Sequence, residues 1–163
     1  MKLIRYGKSG YEKPGLIDAA DRIRDLSGTI EDVDARAISP SGLKKLRLLK
    51  PESLPLVRGD PRLGVPYTGI SKFVAVGLNY SDHAAEAGMP VPTEPVLFMK
   101  VTTCITGPND PVVLPLDAQK GDWEVELGVV IGTTARYVPV EQALDYVAGY
   151  CVVNDVSERN YQL

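Results

Sequence analysis

Two glutamates, Glu124 and Glu126, stand two apart in the stretch DWEVELGVVIG, Asp122–Gly132. Trp123, Val125 and Leu127 alternate with them, the pattern of a β-strand whose residues two apart share a face. After Leu127 the alternation stops, and Val129, Val130 and Ile131 form a continuous apolar run suited to burial on both sides. Such a strand carries two carboxylates side by side into the interior. In a poor dielectric their repulsion costs several kcal/mol unless a cation sits between them. A hard divalent ion bound through carboxylate oxygen, Mg²⁺ or Mn²⁺, meets that need. An edge strand with both glutamates in water satisfies the same spacing, so the remaining reactive side chains carry weight.

His83 is the chain's one histidine, and Glu86 follows three residues later in NYSDHAAEAGMP. On a helix the two share a face, where a carboxylate orients an imidazole and favours its protonated form, as a group that takes a proton from water requires. An exposed surface pair has the same spacing. Asp155 follows the apolar run GYCVVN, at the carboxyl end of a candidate strand, where ligands are often placed. Arg159 and Gln162 come next at intervals of four and three, one face of a helix expected over Val156–Leu163. Three carboxylates with positions left for water make an open Mg²⁺ or Mn²⁺ site. It would suit a substrate that chelates through neighbouring oxygens, such as a 2-oxo acid.

The composition admits a globular protein and little else. The chain has 163 residues, 44% of them hydrophobic and 24% charged, with a formal net charge of −3. That balance supports a core and gives no general pull toward nucleic acid or anionic membrane. The basic cluster in GLKKLRLL is therefore read as the solvated face of a helix. Neither a signal peptide nor a membrane span is visible, and Cys104 and Cys151 lack companions at metal-ligand spacing. A soluble, cytoplasmic protein with reduced thiols is expected.

The elements that must position the reactive residues follow in order. Lys2–Tyr6, Gly15–Asp18 and Arg22–Leu26 read as a small antiparallel meander with Gly and Pro at its corners. Ser39-Pro40 opens a helix with Leu43, Leu46 and Leu49 inward. Residues 50–70, rich in Pro and Gly, read as an extended connection. Phe73–Gly77 and Val96–Lys100 are strands flanking a short helix capped by Ser81 or Asp82 and stopped by Gly88. A turn at Gly107–Asp110 precedes a brief strand Val112–Leu114. Pro139 starts a helix with Ala143, Leu144 and Val147 inward, and Gly149–Asn154 is a strand. The fold class is α+β, mostly β, with a small N-terminal β-rich domain and linker over 1–70 and a second domain over 71–163.

Five motifs, GLNYSDHAAEAG, EPVLFMK, GPND, DWEVELGVVIG and GYCVVNDVSERNYQ, occur in an order that resembles the fumarylacetoacetate hydrolase family, bacterial type, from about Lys72 to the last residue. The resemblance implies a catalytic domain built as a mixed β-roll, usually homodimeric, holding Mg²⁺ or Mn²⁺. By motif position Glu124, Glu126 and Asp155 match the metal ligands, His83 and Glu86 the water-activating dyad, and Arg159 and Gln162 positions that contact substrate. Family members are considerably longer. A functional lysine, a Gly/Thr/Pro-rich closing loop and the strands completing the roll would lie past Leu163. A natural truncation, a fragment and an incomplete sequence all fit. The 163-residue chain is thus expected to be catalytically impaired and to associate with copies of itself over Val129–Ile131 and Val152–Val153.

The expected activity is metal-dependent cleavage of a C–C bond in a small 2-oxo or diketo acid, acylpyruvate-like, by a hydrolase or lyase. Decarboxylase, isomerase or ureidoglycolate-lyase-like chemistry on the same scaffold is the alternative. A non-catalytic remnant is the rival from another class.

Overall fold

The N-terminal meander forms where strand-prone residues meet turns that glycine can close. In the computed structural model, which describes residues 1–162, β1 (Lys2–Tyr6), β2 (Lys13–Ile17) and β3 (Ile23–Asp25) make an antiparallel three-stranded sheet in that order. Gly7 and Gly10, at φ of 114° and 80°, shape the turn between β1 and β2, a backbone region that side chains disfavour. Helix α1 (Pro40–Arg47) starts as the sequence predicts: Ser39 Oγ accepts the Gly42 N–H at 3.1 Å, and Pro40 occupies the first turn. Leu46 joins Leu16 and Leu26 in the core, with Leu3, Ile30, Leu49 and Leu54 packed around them. Each such buried leucine contributes roughly 2 kcal/mol. Lys44, Lys45 and Arg47 face solvent at the carboxyl end, where cations suit the helix dipole.

The Pro/Gly-rich segment after α1 covers both edges of this sheet. Leu56 bridges Arg24 on β3 and Leu63 bridges Tyr6 on β1, removing two exposed edges. Arg62 then clamps the segment: its Nε and Nη2 donate to the two oxygens of Asp110 at 2.6 and 2.5 Å, and Nη1 donates to Glu12 Oε1 at 2.9 Å. Asp110 sits in the Gly107–Asp110 turn, closed by Asp110 N–H to Gly107 O at 3.2 Å.

The chain divides into two compact units, Met1–Thr68 with the chain from Gly107 onward, and Gly69–Thr106. In the second unit β4 (Phe73–Gly77) pairs antiparallel with β5 (Val96–Lys100), both with the expected bounds. Between them lies α2 (Ser81–Glu86), reached through Leu78 at a left-handed φ of 49°. Tyr80, not Ser81 or Asp82, is its N-cap residue, and no side chain caps it. Asp82 instead accepts its neighbour's N–H, from His83, at 2.9 Å. The stop is as predicted: Gly88 at φ 64° lets Met89 N–H reach Ala84 O and Gly88 N–H reach Ala85 O, a Schellman closure.

In the first unit, β6 (Gly121–Asp122) and β7 (Val125–Ile131) lead to β8 (Val147–Asn154) and β9 (Ser157–Glu158). β7 pairs antiparallel with β8 and β6 with β9. Four sequence expectations are corrected here. The run Val129–Ile131 is not buried on both sides: Val129 and Ile131 are 49% and 52% exposed, and alternation continues to the strand's end. Val112–Leu114 forms no strand and is exposed. Residues Val140–Tyr146 are a 3-10 helix with Leu144 at 75% exposure, so no inner face exists. Val156–Gln162 is not a helix, because Ser157 and Glu158 pair with β6; Leu163 lies outside the described residues. The fold class, α+β and mostly β, is as expected.

Candidate metal and substrate site

The site in the first unit grows from the β7–β8 register. Val125 pairs with Asn154 and Glu126 with Val153, which puts Glu124 and Asp155 just beyond the paired ends. Two further bonds fasten those ends: Asp155 N–H donates to Glu124 O at 2.8 Å, and Glu124 N–H donates to Asn154 Oδ1 at 3.2 Å. Glu124 and Glu126 lie on the half-buried side of the strand together with Gly128 and Val130, while Val125, Leu127, Val129 and Ile131 take the exposed side. The carboxylate side is thus the sheltered one.

Arg159 is brought against this end by β9. Its backbone N–H donates to Lys120 O at 2.9 Å, and Glu158 Oε1 accepts the N–H groups of Gln119 and Lys120 at 2.9 and 2.6 Å, fixing the turn. Those backbone donors, Lys120 first, hold the Glu158 carboxyl below its usual range despite some burial. The Arg159 guanidinium donates through Nε and Nη2 to Asp122 Oδ2 at 3.0 and 2.8 Å. Nη2 also pairs with Glu124 Oε1 at 2.5 Å, and Nη1 donates to Gln162 Oε1 at 2.7 Å. The Arg159 hydrogen bond, followed by the Trp123 N–H, lowers the Asp122 pKa. In return, Asp122 first and then Glu124 raise that of Arg159 against some desolvation.

The structure pairs Arg159 with Glu124 and with Gln162, while Asp155 adjoins Glu124 through its backbone and Glu126 lies two residues along the same strand face. Arg159 and Gln162 meet although the predicted helix is absent, because a turn closed by Gln162 N–H to Glu158 O preserves the spacing. His83 and Glu86 belong to the other compact unit, both exposed on α2 around the fully buried Ala84. Among the described residues no hydrogen bond joins their side chains. Asp122 is the residue that sequence reasoning passed over. The signal was there: Asp122, Glu124 and Glu126 continue one period-two row.

The donor set matches a hard divalent ion in its chemistry, three carboxylates attached to adjoining ends of a rigid strand pair. The side chains are not gathered around one point: among the described residues no three His, Cys, Asp or Glu groups converge as metal ligands. Arg159 supplies the positive charge at Glu124 instead. No helix among the described residues is long and apolar enough to cross a membrane.

Proteins of known family share this fold. The model of the fumarylacetoacetate hydrolase C-terminal domain matches residues 72–163. A Burkholderia ambifaria protein named "Putative hydrolase" is 60% identical over 163 residues, 100% of this chain and 58% of that protein. Fumarylacetoacetate hydrolase from Exiguobacterium antarcticum superposes with a TM-score of 0.78 at 31% identity, over 99% of this chain and 58% of its own. A 5-carboxymethyl-2-hydroxymuconate delta-isomerase from Mycobacterium smegmatis superposes with a TM-score of 0.67 at 30% identity, over 99% and 57%. This chain spans a little under three-fifths of the length of each of these relatives. It belongs to the fumarylacetoacetate hydrolase family.

Proposed function

We propose that the protein is a divalent-metal-dependent hydrolase or lyase that cleaves a C–C bond in a small 2-oxo or diketo acid of acylpyruvate type, working as a homodimer. The observation that carries this reading is the cluster at the β7–β8 end: Glu124 and Asp155 on bonded backbone positions, with Arg159 paired to Glu124 and Gln162 bound to Arg159. A bound Mg²⁺ or Mn²⁺ would supply Lewis-acid polarisation of the substrate's oxygens.

The chain's own residues divide the remaining work. Glu124, Glu126 and Asp155 neutralise the ion and orient it. Arg159 and Gln162 bind the substrate carboxylate, a planar acceptor that suits a guanidinium fork. His83, with Glu86 as its dyad partner by resemblance to the family motif, removes a proton from water. The hydroxyl oxygen bonds to the distal carbonyl carbon, and the C–C bond breaks with its electron pair passing to the 2-oxo fragment. The His83 imidazolium returns a proton to the carbon of the 2-oxo fragment that took the electron pair, leaving a carboxylic acid and a shorter 2-oxo acid.

A second reading, isomerisation or decarboxylation of a 2-oxo diacid, draws on the isomerase named among the solved relatives. Incubation with acylpyruvates, oxaloacetate and hydroxymuconate-type diacids in the presence of Mn²⁺ separates the two. Turnover of an acylpyruvate, slow in this 163-residue chain and lost in His83→Ala, is the expected result. Turnover of only the diacids selects the second reading, and Mn²⁺-independent turnover contradicts both.

A further inference from the structure

One guanidinium serves two carboxylates at the end of this sheet. Arg159 makes two hydrogen bonds to Asp122 Oδ2 and one ion pair to Glu124 Oε1, and only Glu124 lies in the proposed metal set. A divalent ion at Glu124 would set a 2+ charge a few ångströms from Arg159, a repulsion that the guanidinium must relieve by leaving Glu124. Asp122 gives it a pair already made. The guanidinium then stays beside Gln162 instead of escaping into water. The backbone allows this without rearrangement, since Arg159 N–H is tied to Lys120 O and Asp122 pairs with Ser157 across β6 and β9.

We infer that Asp122 is a positioning residue: it retains Arg159 when Glu124 is handed to a divalent cation, so that Arg159 acts as an exchangeable internal counterion that competes with the metal. The inference rests on the metal site proposed above. Its distinguishing feature is that Asp122 acts through Arg159 and not through its own charge.

The test is Mn²⁺ affinity of the full 163-residue chain, read from the electron paramagnetic resonance signal of free Mn²⁺, with circular dichroism to check folding. Arg159→Gln removes the competitor and should tighten Mn²⁺ binding by about 5-fold or more. Asp122→Asn keeps the oxygen that accepts the Trp123 N–H. It leaves Glu124 as the one carboxylate facing Arg159 and should weaken Mn²⁺ binding by about 5-fold or more. In the Arg159→Gln background the same Asp122 change should alter affinity by less than about 2-fold, because its effect needs the arginine. Equal weakening by Asp122→Asn in both backgrounds overturns the inference, as does an unchanged affinity in Arg159→Gln; the latter decides the matter even if Asp122→Asn does not fold. Glu126→Gln separates the two levels. Loss of Mn²⁺ binding there with additive Asp122 and Arg159 effects leaves the metal site standing and sinks the exchange. A folded wild-type chain that binds no Mn²⁺, or binding indifferent to Glu126→Gln, removes both.

Discussion

Gly107→Ala should destabilise the first unit by about 2–3 kcal/mol, although the change adds a single methyl group. A Cβ at Gly107 would lie 2.5 Å from Leu63 O, 2.8 Å from Asp110 Oδ2 and 3.2 Å from Gly64 Cα. None of these can retreat cheaply. Leu63 is bridged to Tyr6, Gly64 N–H donates to Arg5 O at 2.8 Å, and Asp110 is gripped by the fork of Arg62. Overpacking of this kind costs typically 1–3 kcal/mol, and the contact here is with backbone, which puts the expectation in the upper part of that range. For a chain of this size the loss corresponds to a drop of roughly 4–12 °C in Tm. Urea unfolding followed by circular dichroism measures it, with Gly28→Ala as control, since nothing lies within 4 Å of a Cβ there. The control should be neutral or slightly stabilising. A Gly107→Ala protein within about 0.5 kcal/mol of the wild type would refute the claim that the Arg62–Asp110 turn is rigid.

Two further expectations are independent of that turn. Burial first, and the Asp25 charge beside it second, push the Tyr6 hydroxyl up to about 12 from an ordinary 10.0. The folded form thus keeps its proton where the unfolded chain has lost it, so this contribution is full below pH 10 and disappears as pH rises toward 12. Urea midpoints across that window should fall more steeply in the wild type than in Tyr6→Phe, and parallel slopes would contradict the assignment. The aliphatic side of the β7–β8 pair bears Leu127 at 59% and Val152 at 81% exposure, beside Trp123 at 70%. The 163-residue chain should therefore associate with copies of itself in solution. A monodisperse monomer by light scattering, with sharp unfolding, is the contrary result.

Local signals were the ones legible in the sequence. β1, β4 and β5 have the predicted bounds because each is a short apolar run between turn residues, and Ser39-Pro40 and Gly88 mark their helix ends by chemistry within four residues. What the sequence concealed depends on distant partners. Val156–Gln162 has helical spacing, yet Glu158 finds the Gln119 and Lys120 N–H groups nearly forty residues away, and strand pairing wins. The run Val129–Ile131 looks doubly buried, but β7 has β8 as its one strand neighbour among the described residues, so one face stays uncovered. The glutamate row was visible by its period of two; its first member, Asp122, gains meaning only when β9 delivers Arg159 to it.

The central claim is that Glu124, Glu126 and Asp155 form a divalent-metal site able to receive a chelating 2-oxo acid. Thermal unfolding of the chain with Mn²⁺, with and without oxalate, tests it most directly, alongside Glu124→Ala. Oxalate presents the same pair of neighbouring oxygens, and a ligand at about a hundred times its Kd stabilises by roughly 2.7 kcal/mol. A rise in Tm of about 5–11 °C is expected with Mn²⁺ and oxalate together, smaller with Mn²⁺ alone and absent in Glu124→Ala. A folded chain whose Tm does not move, or moves equally in Glu124→Ala, would contradict it.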